Sequence, residues 1–268
     1  MKNIAICYNQ KINNSVELKD ELLKILNNKS LSVEVLDIDN LKSDFEFVFV
    51  IGGDGTILKA ARFYAKSQVP VFGINLGRLG FLSQASRDNL EYAVENILQN
   101  NFVIENRIML KSGEYTALND FVIKGCDSGR TSKFSLKING KLICDYLADG
   151  IIVSTPTGST AYGLSAGGPV LEPSLDVFVI VPICPHTLAA RPIVVPANEN
   201  ISILADKDSK LLISADGQEF YESKDEIVVQ KSDYCARLAL LEDTDFYSVL
   251  KNKLHWAAHP EYEKHAKF

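Results

Sequence analysis

The hydrophobic positions of residues 1–100 alternate between two periods, which predicts strands and helices in turn. Short β-rich runs at 3–8 and 32–37 flank the segment 15–28, whose apolar residues recur at helical spacing. The run EFVFVI at 46–51 is continuously apolar, as expected of a parallel strand that is buried on both faces. This alternation over short links predicts an open parallel sheet covered by helices.

The alternation continues after the buried strand. A helix is predicted over 56–67, VPVFGIN at 69–75 reads as the next strand, and a second helix is predicted over 86–100 with Ser86 as its cap. We therefore assign residues 1–100 to an α/β domain.

The pattern changes near residue 101, where short β-rich runs separated by turn signals replace the helical periodicity. In FSLKINGKLICDY, Asn139-Gly140 joins two strand patterns as a type I′ hairpin would. This predicts an all-β domain over 101–244, built as a sandwich or a twisted pair of sheets. The segment 245–256 is predicted to be a helix that packs back on the first domain, and 257–268 a loose tail.

Composition and charge restrict the class of protein. The 268 residues are 46% hydrophobic and 23% charged, which is ordinary for a globular protein, and no apolar run approaches the length of a membrane span. The net charge of −6 gives no general reason to bind nucleic acid or anionic lipid. Five scattered cysteines without a C-x-x-C pair predict reduced thiols, and the N-terminus does not resemble a signal peptide. We expect a cytoplasmic protein with no nucleic-acid or membrane partner.

One carboxylate, Asp54, stands among three glycines where the buried strand meets a helix. Gly52, Gly53 and Gly55 let the backbone approach a phosphate, and the helix start offers amide donors to an anion. A carboxylate there repels phosphate unless it binds a metal ion or accepts a proton. The alternative is that Asp54 caps its helix through its side chain. The chain has no P-loop motif, and this turn lacks the Rossmann G-x-G-x-x-G spacing.

A second segment, 145–169, places hydroxyl side chains between the strand GIIVS and a short helical pattern. Thr155, Thr157, Ser159 and Thr160 surround a proline and a glycine. Hydroxyls and free amides at a helix start suit a ribose or a phosphate. The same residues are equally typical of a capped turn whose side chains satisfy backbone donors.

Six motifs together resemble the NAD kinase family, and the resemblance spans nearly the whole chain. GGDGT alone also occurs in lipid kinases, and a related turn occurs in phosphofructokinases, so the ordered set is much more specific than any one motif. In chain order the motifs are GGDGT at 52–56, GINLGRLGFL at 73–82, LNDFVI at 118–123, ADGIIVSTPTGSTAY at 148–162, PHTLAARPIVVP at 185–196 and DGQ at 216–218.

The resemblance implies a two-domain enzyme that uses ATP to phosphorylate the 2′-hydroxyl of the adenosine ribose of NAD, giving NADP. Its active site is expected in the cleft between the domains. Asp54 is implied as the catalytic residue, acting as general base or metal partner, with Mg²⁺ bridging the phosphates and no metal site fixed by the protein alone. The implied phosphate loop is Gly52, Gly53, Gly55 and Thr56.

The resemblance also implies the residues that bind NAD. Phe81 would lie against the adenine, and Asn119 with Asp120 would hold the ribose hydroxyls. Most family members have Glu at the position of Asp120, which is one methylene shorter. Arg191, in the RP motif, is left open between a structural role and the pocket. The remaining implied NAD-binding residues are Gly55, Asp149, Thr157, Thr160, Ala161, Tyr162 and Asp216.

Local sequence favours simpler interpretations at several of these positions. Asp216-Gly217 lies between strand patterns and first predicts a hairpin turn, although the tip of a hairpin can also line a pocket. Lys2, Lys59 and Arg78 could meet phosphates but are more typical of surface charges, with Arg78 the best candidate. The four histidines do not form a metal-binding pattern.

Two other function classes share some of these features. A lipid kinase would carry the GGDGT turn but needs an apolar or basic membrane-docking surface, which the sequence does not suggest. A non-catalytic NAD-binding module would keep the pocket, but it gains nothing from a carboxylate beside phosphates. By resemblance we expect a homodimer or homotetramer formed through the β domain, with subunits completing one another's pockets.

Overall fold

A computed structural model describes residues 2–29, 31–77, 80–126, 131–206, 210–242 and 245–254. None of the helices within these ranges is long and apolar enough to cross a membrane. The helices are α1 (Asn13–Asn27), α2 (Asp54–Ala65), α3 (Leu90–Leu98), α4 (Tyr162–Ser165) and α5 (Phe246–Leu254), with 3-10 turns at Arg87–Asn89 and Thr157–Thr160. The strands are β1 (Asn3–Tyr8), β2 (Ser32–Asp37), β3 (Phe47–Ile51), β4 (Val71–Asn75), β5 (Ser83–Ser86), β6 (Val103–Arg107), β7 (Leu110–Ser112), β8 (Tyr115–Ala117), β9 (Asp120–Gly125), β10 (Ser132–Ile138), β11 (Lys141–Ala148), β12 (Gly150–Ser154), β13 (Val177–Ile183), β14 (Ile193–Pro196), β15 (Ile201–Ala205), β16 (Leu211–Ala215), β17 (Glu219–Ser223), β18 (Ile227–Lys231) and β19 (Ala236–Leu240).

The chain divides into two compact units whose limits differ from the predicted 100/101 and 244/245 boundaries. The first unit contains the described residues up to Ala60, then Val69–Glu105, then those from Leu238 onward. The second contains Ala61–Gln68 and Asn106–Arg237. The difference arises because β6 and β19 hydrogen-bond into the sheet of the first unit, a long-range pairing that a local strand pattern does not specify. The predicted tail lies outside the described residues.

The first unit is an α/β domain with a parallel sheet, as predicted. The strand order is β2-β1-β3-β4-β19-β6, and β5 pairs with β4. All five residues of β3 are buried, which explains why that run is apolar without alternation. The order places β1 and β3 side by side, and β3 ends at the glycine-rich turn, so the turn lies at the carboxyl edge of the sheet.

Two helix starts differ from the sequence prediction. Helix α2 begins at Asp54, two residues before the predicted start at residue 56, so Thr56 lies within its first turn. The Gly53 carbonyl accepts the N–H groups of Thr56 and Ile57, at 2.9 and 3.2 Å, and therefore starts the helix. Ser86 does precede a helical turn, with its N–H donating to Asn89 Oδ1 at 2.8 Å, but it also ends β5, which was not predicted.

The second unit holds two six-stranded antiparallel sheets among its described residues. Their orders are β11-β10-β15-β18-β7-β8 and β14-β13-β12-β9-β16-β17. Buried side chains of both sheets form one cluster, which includes Phe134 of the first sheet and Phe121 of the second. Asn139 and Gly140 have φ of 49° and 76°, as a type I′ turn requires, so the predicted hairpin and the all-β architecture are confirmed.

Candidate active site

The glycine-rich turn after β3 is shaped first by packing. A Cβ on Gly52 would lie 2.6 Å from the Cβ of Thr56, so only glycine fits against the start of α2. A Cβ on Gly53 would meet open space, and Gly55 is exposed in the first turn. The first glycine is therefore required by the fold, whereas Gly53 leaves open space next to the helix start.

Asp54 does not cap its own helix through its side chain. Its Oδ2 accepts the N–H of Phe81 at 2.9 Å, and its Oδ1 accepts the N–H of Leu82 at 3.2 Å. Gly80 passes so close that a Cβ there would lie 1.9 Å from Oδ1. The carboxylate is thus half-buried and oriented by the backbone of another loop, and each oxygen keeps a lone pair for a further partner.

Phe81 lies next to this carboxylate and contacts helix α5. Its ring centroid is 6.5 Å from that of Phe246, with the rings tilted by 44°. Phe81 is only half-buried, so part of the ring stays available to a ligand. Arg78, the best cation candidate from the sequence, lies outside the described residues.

The second unit contains a cavity of about 360 Å³, a size typical of small-molecule sites. Five of the residues predicted to bind NAD line it, and sequence reasoning missed the others. The predicted ones are Asn119, Asp120, Ala161, Tyr162 and Asp216, and the missed ones are Val122, Lys124, Leu212, Ser214, Gly217 and Phe220.

Asp216 is the centre of a hydrogen-bond network beside this pocket. Asp216 and Gly217 have φ of 55° and 63°, so they form the predicted turn of the β16–β17 hairpin, and the same turn lines the pocket. The fully buried carboxylate accepts the N–H groups of Leu118, Asn119 and Asp120 at 3.0, 2.8 and 3.2 Å. It therefore fixes the backbone that carries two of the pocket side chains.

Asp120 and Asp216 form a pair of buried acids, and the pKa of each is raised above its ordinary value. Burial, and then repulsion from Asp216, raise the pKa of Asp120 to about 7. Burial also raises the pKa of Asp216, but three backbone N–H groups and Arg62 oppose this by stabilising its carboxylate. The pKa of Asp216 is raised overall, and Asp120 is poised between its two forms at neutral pH.

The hydroxyls of the segment 155–160 mostly serve the fold. Thr155 Oγ1 donates to the Leu118 carbonyl at 2.6 Å, and Thr157 Oγ1 accepts from Arg107 Nη1 at 3.3 Å. Ser159 Oγ bonds the backbone of Pro156 and Leu171, and Thr160 Oγ1 lies 3.4 Å from the Thr157 carbonyl. These contacts are those of the capped-turn alternative. The residues that follow the segment, Ala161 and Tyr162, line the pocket.

Gly158 gives the first testable prediction, because its Cα faces the backbone of Asn119. A Cβ there would lie 2.1 Å from the Asn119 carbonyl oxygen. We expect Gly158→Ala to lower the free energy of unfolding by about 1–3 kcal/mol, since backbone must shift to relieve the overlap. Urea denaturation measures this.

The control for this prediction is Gly163→Ala, where the nearest atom, Ser154 Cβ, would lie 3.8 Å away. An equal loss of stability in both variants would contradict the role of the close approach at Gly158.

Asp149 and Arg191 also lie outside the pocket-lining set. Asp149 is exposed at the turn between β11 and β12, with its N–H donating to the Ile183 carbonyl at 3.0 Å. Arg191 is exposed, and its guanidinium donates to the carbonyls of Leu188 and Ala190 at 2.6 and 2.7 Å. The contacts of Arg191 are those of a residue that stabilises its own loop.

The glycine-rich turn lies at the carboxyl edge of a parallel sheet, and the pocket is lined by acidic and aromatic side chains. Together these features define a nucleotide-binding class of protein. Two family models match the chain: the ATP-NAD kinase N-terminal domain over residues 2–102, and the ATP-NAD kinase C-terminal domain over residues 118–241. The chain belongs to the NAD kinase family.

Individual relatives agree with the family models. An NAD kinase of Clostridium botulinum (strain Loch Maree / Type A3) is 38% identical over 96% of this chain and 97% of its own length. One of Pseudomonas fluorescens (strain Pf0-1) is 44% identical over 80% of this chain and 76% of its own.

Solved structures show the same fold. An NAD kinase from Archaeoglobus fulgidus, crystallised with ATP, has a TM-score of 0.81 and 31% identity, covering 95% of this chain and 99% of its own. The fold is also that of a yeast NADH kinase complexed with NADH, with a TM-score of 0.84 and 24% identity, over 97% of this chain and 89% of its own.

Proposed function

We propose that this member of the NAD kinase family transfers the γ-phosphoryl group of ATP to the 2′-hydroxyl of the adenosine ribose of NAD, giving NADP. The observation that carries the proposal is the pocket in which Asn119 and the buried Asp120 are held together by Asp216. An amide and a carboxyl side by side provide the donors and acceptors that two ribose hydroxyls need.

The pocket walls suit the rest of a nucleoside. Tyr162 and Phe220 offer exposed ring surface for stacking a base, and Lys124 lies 3.4 Å from the Tyr162 hydroxyl, where it can meet substrate phosphate. We assign Thr157 and Thr160 to supporting this pocket wall. Phe81 is assigned to the contact with the adenine.

Asp54 is assigned as the general base. As the 2′-O–P bond forms, the hydroxyl proton passes to the Asp54 carboxylate, and the bond between the β- and γ-phosphates breaks to release ADP. The N–H groups of Phe81 and Leu82 orient the carboxylate before the reaction, which lowers the reorganisation that the step requires. Gly53 leaves room for the phosphates at the start of α2, where Gly55 is exposed.

A divalent metal would bind at this site together with the nucleotide. Among the described residues, no three His, Cys, Asp or Glu side chains converge as a metal cage. Mg²⁺ commonly binds through one or two carboxylates together with substrate phosphates, and Asp54 can supply such a carboxylate. When bound, Mg²⁺ would offset the phosphate charge.

An assay with NAD, ATP and Mg²⁺, followed through an NADP-specific dehydrogenase, tests the proposal. NADP formation that depends on all three supports it. NAD binding without product would favour the binding module, and phosphorylation of diacylglycerol or sphingosine in place of NAD would favour the lipid kinase.

We propose a homodimer or homotetramer assembled through the second unit. The outward face of the edge strand β11 carries Ile143 and Leu147, which are about half-exposed, and an exposed apolar edge strand favours pairing with another copy. Asp149 follows this strand and would then serve the pocket of a second subunit. Light scattering after size exclusion should give at least twice the 29.6 kDa chain mass at micromolar concentration. A monomer would contradict this assembly.

The cytoplasm is the compartment that we propose. None of the five cysteines forms a disulfide, and Cys7 is fully buried in the first unit, which supports a reducing compartment.

A further inference from the structure

Arg62, near the end of α2, joins two acidic residues of the β16–β17 hairpin. Its Nη1 donates to Asp216 Oδ2 at 3.3 Å, and its Nη2 donates to Glu219 Oε1 at 2.8 Å. The Arg62 side chain is 8% exposed and the Asp216 side chain is fully buried, whereas Glu219 is about half-exposed. The guanidinium therefore holds both sides of the turn from a largely buried position.

The contacts continue from Asp216 to the pocket. The carboxylate that Arg62 contacts also accepts the three successive N–H groups at Leu118–Asp120. Asn119 and Asp120 carry the amide and the carboxyl that line the cavity. One guanidinium, one carboxylate and a short stretch of backbone thus connect Arg62 to the proposed ribose-binding groups, although Arg62 does not line the pocket itself.

We propose that Arg62 is a positioning residue for NAD: by holding Asp216 and Glu219, it fixes the backbone from which Asn119 and Asp120 reach the substrate. This inference rests on the proposed function. Removing the guanidinium would leave Asp216 and Asp120 as adjacent buried acids without the positive charge that contacts Asp216, which favours displacement or protonation of Asp216. Either change loosens its hold on the backbone N–H groups.

The experiment measures NAD binding by isothermal titration calorimetry in four proteins: wild type, Arg62→Ala, Arg62→Lys and Arg87→Ala. Arg87 is the matched control, because it is also an arginine that contacts two carboxylates, Glu17 and Glu21, but it is 53% exposed in the first unit. We expect Arg62→Ala to raise the Kd for NAD about tenfold or more, the scale of a lost charged hydrogen-bond partner. Arg87→Ala should bind NAD as the wild type does.

Arg62→Lys separates positioning from simple folding. An ammonium group keeps the charge but cannot reproduce the forked contact with two carboxylates, so its Kd should fall between the wild type and Arg62→Ala. In steady-state assays, Arg62→Ala should raise KM for NAD while kcat at saturating NAD and KM for ATP stay near wild-type values, as expected when substrate positioning is lost. A general loss of folded protein would lower kcat without this selectivity.

Each outcome decides the inference. If Arg62→Ala is folded and its Kd stays within about twofold of the wild type, or if Arg87→Ala weakens NAD binding equally, Arg62 has no positioning role. If Arg62→Ala does not fold, Arg62→Lys decides: weaker binding at a near-normal melting temperature supports the inference, and unchanged binding overturns it. Wild type that binds NAD without forming NADP refutes only the proposed function, and wild type that binds no NAD refutes both.

Discussion

Replacing Asp54 with asparagine is expected to lower kcat for NADP formation by about 100-fold or more, the usual scale for losing a positioned base. The amide cannot accept the hydroxyl proton. It also has a single acceptor oxygen, whereas the carboxylate accepts the N–H groups of both Phe81 and Leu82, so the loop that faces it is disturbed as well. Steady-state kinetics at saturating ATP and NAD measure the effect.

The two contributions to this loss can be separated. The Kd for NAD should change far less than kcat in Asp54→Asn, because Asn119 and Asp120 line a pocket of the second unit. Asp88→Asn is the control, since it removes an exposed first-turn carboxylate from another helical segment and should leave kcat unchanged. A kcat of Asp54→Asn within a few-fold of the wild type would remove Asp54 from the role of base.

Asp120→Asn should stabilise the protein at alkaline pH and leave it nearly unchanged near pH 4. The pKa of Asp120 is raised to about 7 in the fold, by burial and by Asp216. Between the unfolded-state pKa of about 4 and the folded-state value, the folded protein keeps a proton that the unfolded chain releases, so stability falls as pH rises through this window. Asparagine does not ionise, so the variant avoids this loss of stability. Its free energy of unfolding at pH 8 should exceed that of the wild type by up to about 4 kcal/mol. Urea denaturation from pH 4 to 8 measures it.

Asp145→Asn provides a control of opposite sign. A hydrogen bond from Ser135, with Lys133 nearby, holds the pKa of this exposed carboxyl below its usual range, so its removal should slightly lower the stability at neutral pH. If Asp120→Asn and Asp145→Asn showed the same pH dependence, burial would not be the origin of the Asp120 effect.

Stability and binding should change in opposite directions at Asp120. The ionised carboxylate is the stronger acceptor for ribose hydroxyls, so NAD affinity of the wild type should rise as pH increases through about 7. Asp120→Asn should bind NAD about tenfold more weakly at pH 8 and show no such rise. Calorimetric titrations at pH 6 and pH 8 test this, and a wild-type affinity that does not vary would exclude Asp120 as the group that binds the hydroxyls.

Local sequence was sufficient for elements whose signal is local. The bounds of β1 and β2 match their apolar runs, and the turns at Asn139-Gly140 and Asp216-Gly217 follow from residues that tolerate positive φ. Local sequence was insufficient to predict which distant segments pair with one another. The run SQAS of β5 has no β-branched residues, and it is a strand because β4 provides a parallel partner.

The candidate site shows the same limit. Asp216 was identified through the family resemblance. The three hydrogen bonds that it accepts from backbone N–H groups depend on tertiary structure that no local motif encodes. Arg62 reads in the sequence as an ordinary charged position on a helix. One signal in the sequence was overlooked. Asp120, Val122 and Lys124 alternate along β9 and must therefore share a face of the sheet. With Asp120 predicted to bind NAD, the period of the strand also predicts Val122 and Lys124 in the same pocket wall.

The close approach of Gly80 to Asp54 has a genetic consequence. A methyl group at position 80 would push against Oδ1 of Asp54, and each oxygen of this carboxylate is already held by one backbone amide, so the carboxylate would move while the buried sheet stayed intact. A selection for well-expressed but inactive alleles should therefore recover substitutions at residue 80 together with those at residue 54, even though glycine brings no reactive group of its own.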